Sequence, residues 1–203
     1  MRLEIDLPDR VPVMTLPEVA FFPKVMMPLF IFEPRYRAML KTSLEGNRMF
    51  AVAGIDPAQV DNFPIPEPAH SVATIGLIRG CKTQEDGTSH LILEGLSRIR
   101  LDELFEDKPY REAAITPLKS AVEADELELS ELRDELLEVV KAFVEEDSEV
   151  PTELLQFVEK MKDPEDFVDL VAYTFVPDPV LKQHVLETLK VEARFEILIE
   201  ALS

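Results

Sequence analysis

LPEVAFFPKVMMPLFIFEPRYRAML, residues 16–40, is the stretch on which the fold turns. It reads as a loop, an apolar strand and the start of a helix, with almost no linker between them. Val25–Phe32 is the strand, and its mixed apolar faces predict burial on both sides. Pro28 lacks a ladder donor, so an edge position or a bulge is expected there. Glu33-Pro34 then opens a helix, because proline at the first helical position loses nothing by its missing N–H. Tyr36, Met39, Leu40 and Leu44 give that helix one apolar face, and Gly46-Asn47 is its stop signal.

Working outward, residues 1–118 read as mostly β. Val11–Leu16 and Met49–Ile55 are short strands. Val72–Lys82 and Ser89–Leu101 are long ones around Glu85-Asp86-Gly87, a hairpin-type turn in which glycine supplies positive φ. Gly95 in mid-strand predicts a bulge or bend of the kind that closes a barrel. Tyr110–Leu118 completes the set. Between the third and fourth strands, Asp56–Ala69 carries Pro57, Pro64, Pro66 and Pro68 and reads as a surface loop. After Pro117 the composition changes: no glycine occurs from 96 to 203. Asp125–Glu146 forms one long helix, and Pro151, Pro164 and Pro179 each open a further apolar-periodic run. Asp163 and Asp178 stand as N-caps of the later two. Four or five helices follow, near 125–146, 151–161, 164–175, 179–188 and 191–202. The expected architecture is α+β: a small curved sheet or pseudo-barrel over 1–118 with about six strands and one helix, then an acidic helical bundle over 119–203.

The chain carries 40 acidic and 21 basic residues, a net charge of −19. Residues 1–118 hold 13 basic and 17 acidic side chains, whereas residues 119–203 hold 8 and 23. Nucleic-acid binding draws on Lys and Arg set against phosphates, so the C-terminal half is a poor candidate for it, and for anionic membranes. No apolar run approaches the ~20 residues of a membrane span. The single cysteine, Cys81, excludes an internal disulfide framework. A soluble, cytoplasmic protein is expected.

Catalytic constellations are wanting. Gly76–Thr83 faintly resembles a phosphate loop, but its glycine spacing is short by one and no helix N-terminus follows. His70, His90 and His184 are too dispersed for a helical metal pair. No GxSxG elbow or CxxC occurs. No cofactor or metal is expected. The distinctive residues are apolar instead: six of the seven methionines occur by position 49, beside five phenylalanines. Phe30, Phe32, Met39 and Met49 read as core. Phe21, Phe22, Met26 and Met27 flank Pro23 and Pro28, and stand open between core and a contact surface for varied apolar ligands. On the long acidic helix, Leu129, Leu132, Leu136 and Phe143 share a stripe that serves either intramolecular packing or a partner.

These stretches carry a resemblance. Residues 16–40 resemble the opening of the Lon protease amino-terminal domain, a run of the form LP…VVFPGMVVPLF, with Lys24 where that family often has glycine. Residues 70–101, HSVATIGLIRGCKTQEDGTSHLILEGLSRIRL, are similar to the family's E-x-G-T-x-A-x-I…LPDG…V-x-V-E-G-x-x-R-x-x-I segment. Asp163-Pro164 through Leu202 is similar to its helical end. The resemblance implies a PUA-like β pseudo-barrel followed by a helical bundle. It also implies binding of unfolded or degron-bearing polypeptides, with cooperation with a separate protease or self-association as further possibilities. The family's ATPase and Ser–Lys peptidase motifs do not occur in these residues, so a stand-alone, non-enzymatic member is expected. The rival readings are an RNA-binding module, needing Arg35, Arg37, Arg79, Arg98 and Arg100 on one face, and a scaffold acting through the helical half.

Overall fold

The computed structural model describes residues 6–59, 67–146 and 152–203. Its contacts gather into two units, Met1–Leu118 and Lys119–Ser203.

The first unit contains β1 (Arg10–Leu16), β2 (Met26–Ile31), helix α1 (Pro34–Glu45), β3 (Met49–Gly54), β4 (Val72–Thr83), β5 (Ser89–Phe105) and β6 (Arg111–Pro117). The strands form one sheet in the order β2-β5-β4-β3-β1-β6, and β5 also pairs with β6. That extra pairing closes the sheet on itself. β5 is long enough to serve β2 with residues 89–94 and β6 with residues 99–105, while β4 runs along its other edge. β1 and β3 are the parallel pair, joined through β2 and α1. The barrel interior is filled by small side chains, among them Val11, Val13, Ala51, Ala53, Ala73, Ile75, Ile99 and Ala113. β3 is buried along its whole length.

Gly95 marks the change of partner along β5. Ile75 pairs with Ser97 but Gly76 pairs with Gly95, so Leu96 is the extra residue of a bulge. The Gly95 N–H donates to Val25 O and its carbonyl accepts from Lys24 N–H, both at 2.9 Å. A Cβ built on Gly95 would lie 2.1 Å from the Phe22 carbonyl oxygen, so only glycine admits the 19–25 loop here. Lys24 itself has φ of 65°, the left-handed region. Glycine would be at ease there, and Lys24 holds the tight turn under strain.

The expectation that residues 25–32 are buried on both faces is corrected. β2 ends the sheet and alternates, with Met27 and Ile31 inward and Met26, Pro28 and Phe30 outward. The carbonyl of Val25 faces β5, and backbone groups reverse direction at each residue. The even positions of β2 therefore turn their backbone groups to the free edge. Pro28 falls on such a position, where its absent N–H costs the β5 ladder nothing.

Helix α1 stops after Glu45, but Gly46 does not take the left-handed turn; Arg48 does, with φ of 63°. Its N–H reaches back to Ser43 O, and its Nε donates to Ile78 O. The proline-rich loop begins with one 3-10 turn, Pro57–Gln59, and its middle lies outside the described residues. Its ends are tied together by Asp56 N–H to Pro68 O and His70 N–H to Gly54 O.

The second unit contains α2 (Glu126–Glu146), α3 (Thr152–Glu159), α4 (Pro164–Phe175), α5 (Pro179–Glu187) and α6 (Val191–Leu202). Asp163 and Asp178 cap α4 and α5 through their carboxylates, each followed by proline at the first helical position. Asp125 does the same for Leu127 and Glu128 of α2. Arg194 of α6 is fully buried. Its guanidinium donates to Asp169 and Glu165 of α4, to the Ser120 hydroxyl, and to the Thr188 and Leu189 carbonyls. All five N–H groups are thereby used, which is the condition for placing such a charge in a core.

Candidate functional site

The four residues of the 21–27 stretch do not lie together on the surface. Phe21, Phe22 and Met27 are 1%, 0% and 6% exposed, and only Met26 is open, at 52%. The reason is the crossing at Gly95: the loop lies flat against the sheet, Thr74 Oγ1 donates to the Phe21 carbonyl, and the Arg98 guanidinium sits 5.8 Å from the Phe22 ring centre. Phe21, Phe22 and Met27 are core. Conversely, Phe30 and Phe32, read from sequence as core, are 49% and 57% exposed.

The stripe on α2 turns mostly toward its own unit. Leu129 and Leu136 are buried, Leu132 and Phe143 are partly covered, and α2 packs on α4 and α6. The later helices take the surface the stripe offers. Four of the five arginines proposed for RNA are likewise occupied, and the fifth, Arg37, donates to the Asp86 carbonyl at an exposed site. Arg98 is buried, Arg35 forks onto Glu67 at 2.8 Å, Arg79 pairs with Glu94, and Arg100 pairs with Asp102 at 2.6 Å.

What the fold does gather is an outward apolar face on β2, β5 and β4. Opposed residues form three rows: Met26–Glu94, Pro28–Ile92–Gly80 and Phe30–His90–Lys82. The Phe30 ring stacks on His90 at 4.6 Å between centres and on Phe32 at 5.8 Å. Ile92 is 38% exposed, unusual for isoleucine in the middle of a strand. A shallow cavity of about 540 Å³ runs along this face, lined by Pro28, Leu29, Phe30, Gly80, Cys81, Lys82, His90, Leu91 and Ile92. Its volume falls in the range of about 300–1,000 Å³ usual for binding clefts. The side chains of the even residues of β2 share this face with His90, Ile92 and Glu94 of β5.

A second, smaller cavity of about 170 Å³ lies at one end of the barrel, lined by Val13, Thr15, Arg35, Tyr36, Glu106, Lys108, Tyr110 and Arg111 among others. Its polar groups are spent on one another. The Tyr36 hydroxyl donates to Thr15 O and accepts from Thr15 N–H, and Lys108 pairs with Glu112. The Arg35 guanidinium holds the Glu67 carboxyl below its ordinary range, and Arg111 donates to the Glu67 carbonyl. This is a lock on the end of the proline-rich loop. Among the described residues no three His, Cys, Asp or Glu side chains gather as a metal site, and no helix is long and apolar enough to cross a membrane.

Comparison with known proteins agrees with this architecture. The Lon protease of Desulfosudis oleivorans is 28% identical over 190 residues, covering 94% of this chain and 23% of that protein. That of Dictyoglomus thermophilum is 26% identical over 191 residues, covering 94% and 24%. The chain thus spans about a quarter of the length of these relatives. The N-terminal domain of Mycobacterium avium complex Lon protease superposes with a TM-score of 0.74 at 18% identity, covering 95% of this chain and 97% of that one. The Lon N-terminal domain protein of Xanthomonas campestris gives 0.68 at 16% identity, covering 94% and 97%. The family described as the ATP-dependent protease La (LON) substrate-binding domain matches residues 10–203, and the chain belongs to it.

Proposed function

We propose that this chain is a non-enzymatic, polypeptide-binding module that takes extended apolar segments of other proteins on the outward face of β2, β5 and β4, in the service of proteolysis or quality control. The observation that carries the reading is the exposure of Phe30 and Ile92 in one cleft, with the exposed Phe32 stacked on Phe30 and the exposed Met26 on the same face of β2. Apolar groups left open together on one sheet face mark an interaction surface more often than scattered ones do. The family's description as a substrate-binding domain supports the same reading. The strength is modest. Covering on the order of 300 Å² of apolar surface yields roughly 7 kcal/mol before the ordering of the bound segment is subtracted. The net affinity is expected in the micromolar range or weaker.

The test is a titration of a fluorescein-labelled, permanently unfolded protein with the wild type and with Phe30→Asp. The variant should bind at least roughly tenfold more weakly, since a charge placed in the apolar contact must be desolvated. Its circular dichroism should match the wild type, because Phe30 supports no core. Equal affinity for the two proteins would remove the face from consideration.

A further inference from the structure

The outward face is apolar only in part, and the exceptions give its ligand a chemistry. In the middle row, Gly80 occupies a strand position where an added Cβ would meet no atom within 4 Å. The same addition would strike Leu93 at 2.5 Å from Gly76 and the Phe22 carbonyl at 2.1 Å from Gly95. Those two glycines are explained by close packing within the chain. Gly80 is not, and its backbone lies outside the left-handed region. A bare strand position facing an open cleft is where an approaching chain finds room.

In the next row, Lys82 and His90 line the cleft without a carboxylate partner among the described residues, although the chain has nearly twice as many acids as bases. Arg79, one row away, is neutralised by Glu94, and the exposed Arg100 by Asp102. The cleft thus has an apolar centre with space above Gly80, and an unanswered ammonium at one end.

We propose that the cleft selects extended segments in which a large apolar side chain and an Asp or Glu stand two positions apart. The apolar side chain seats over Gly80 beside Ile92, and the carboxylate meets Lys82. The spacing follows from the strand: Gly80 and Lys82 lie on one face about 6.8 Å apart, and an extended ligand lying along β4 repeats its side chains at the same interval. This selectivity rests on the reading of the face as a polypeptide site.

The experiment uses fluorescein-labelled 12-residue Gly/Ser peptides with Leu-Thr-Asp, Leu-Thr-Asn or Leu-Thr-Lys at their centre. Binding to the full chain is followed by anisotropy at pH 7.5 in low salt. The Asp peptide should bind roughly threefold tighter than the Asn peptide, the scale of an exposed ion pair, and the Lys peptide weakest. Raising salt to about 0.5 M should compress the order. Lys82→Glu should reverse it. Gly80→Leu should weaken all three roughly tenfold or more, with the wild-type melting curve retained. Equal affinities for the three peptides, or an order unchanged in Lys82→Glu, would overturn the selectivity. So would peptides that fail to bind while the unfolded protein still binds and Phe30→Asp still weakens it; that outcome leaves the general face standing. Failure of the unfolded protein to bind at all would overturn both.

Discussion

Single residues in this chain are governed by how closely one backbone approaches another. Gly95 and Gly80 are both strand glycines, yet their substitutions should diverge. Gly95→Ala forces a Cβ against the Phe22 carbonyl and should destabilise by about 3 kcal/mol. Gly80→Ala should stay within about 0.5 kcal/mol of the wild type. Chemical denaturation of both variants measures the contrast. Lys24 is the converse case, a side chain where the backbone asks for none. Relief of its left-handed strain outweighs the extra freedom of glycine in the unfolded chain, so Lys24→Gly should raise stability by up to about 1 kcal/mol, and Lys24→Val should lower it. Glu67 adds a pH dependence. Its folded carboxyl is depressed below 4.5 by the Arg35 guanidinium, so its contribution is complete above that value and disappears as pH falls through the depressed one. Glu67→Gln should therefore cost about 1 kcal/mol at pH 7, and the gap from wild type should close as the solution is acidified below about pH 4.

At the scale of elements, the helices were legible almost to the residue, because aspartate caps and N1 prolines act locally and leave signs in the sequence. Most strand boundaries were legible for the same kind of reason, but β5 runs to Phe105, four residues past the expected end at Leu101, and the added residues pair with β6. The orientation of β2 was not legible. An apolar run with large side chains on both faces carries no period-two contrast, so composition could not tell Phe22 and Met27, which are buried, from Phe30 and Phe32, which are not. What decides between them is Gly95, nearly 70 positions away from Met27 in sequence and opposed to the loop only after folding. On α2 the periodicity gave the stripe but not its occupant. Leu136 lies wholly within the unit, so Leu136→Ala should cost about 2–5 kcal/mol without altering the sedimentation behaviour of the folded fraction. Arg194 ties α4 to α6 through the buried Asp169. Arg194→Ala removes the guanidinium from that buried carboxylate and should cost about 3–5 kcal/mol by thermal melting. Arg194→Lys should not restore it, since an ammonium cannot span the five acceptors of the fork.

For the whole molecule, the change in composition after Pro117 coincides with the division of contacts into two units, 1–118 and 119–203. We propose that each folds alone. Fragments ending and starting at this boundary should each show a cooperative melt by circular dichroism, and a fragment 1–118 without one would overturn the proposal. The family was readable from three separated motifs, whereas the binding face needed the pairing of β2 with β5 to bring Phe30 beside His90. The closure of the barrel carries a last consequence, for synthesis. Arg10 of β1 pairs with Ala114 of β6, so one edge of β1 has to wait for a strand about a hundred residues later to leave the ribosome. Until residue 117 has emerged, β1 and β5 each present an unpaired edge to the surrounding solution. The high separation of these partners predicts slow closure, on the millisecond-to-second scale of β-rich folds. A nascent chain arrested before β6 should accordingly recruit chaperones, and one released past it should not.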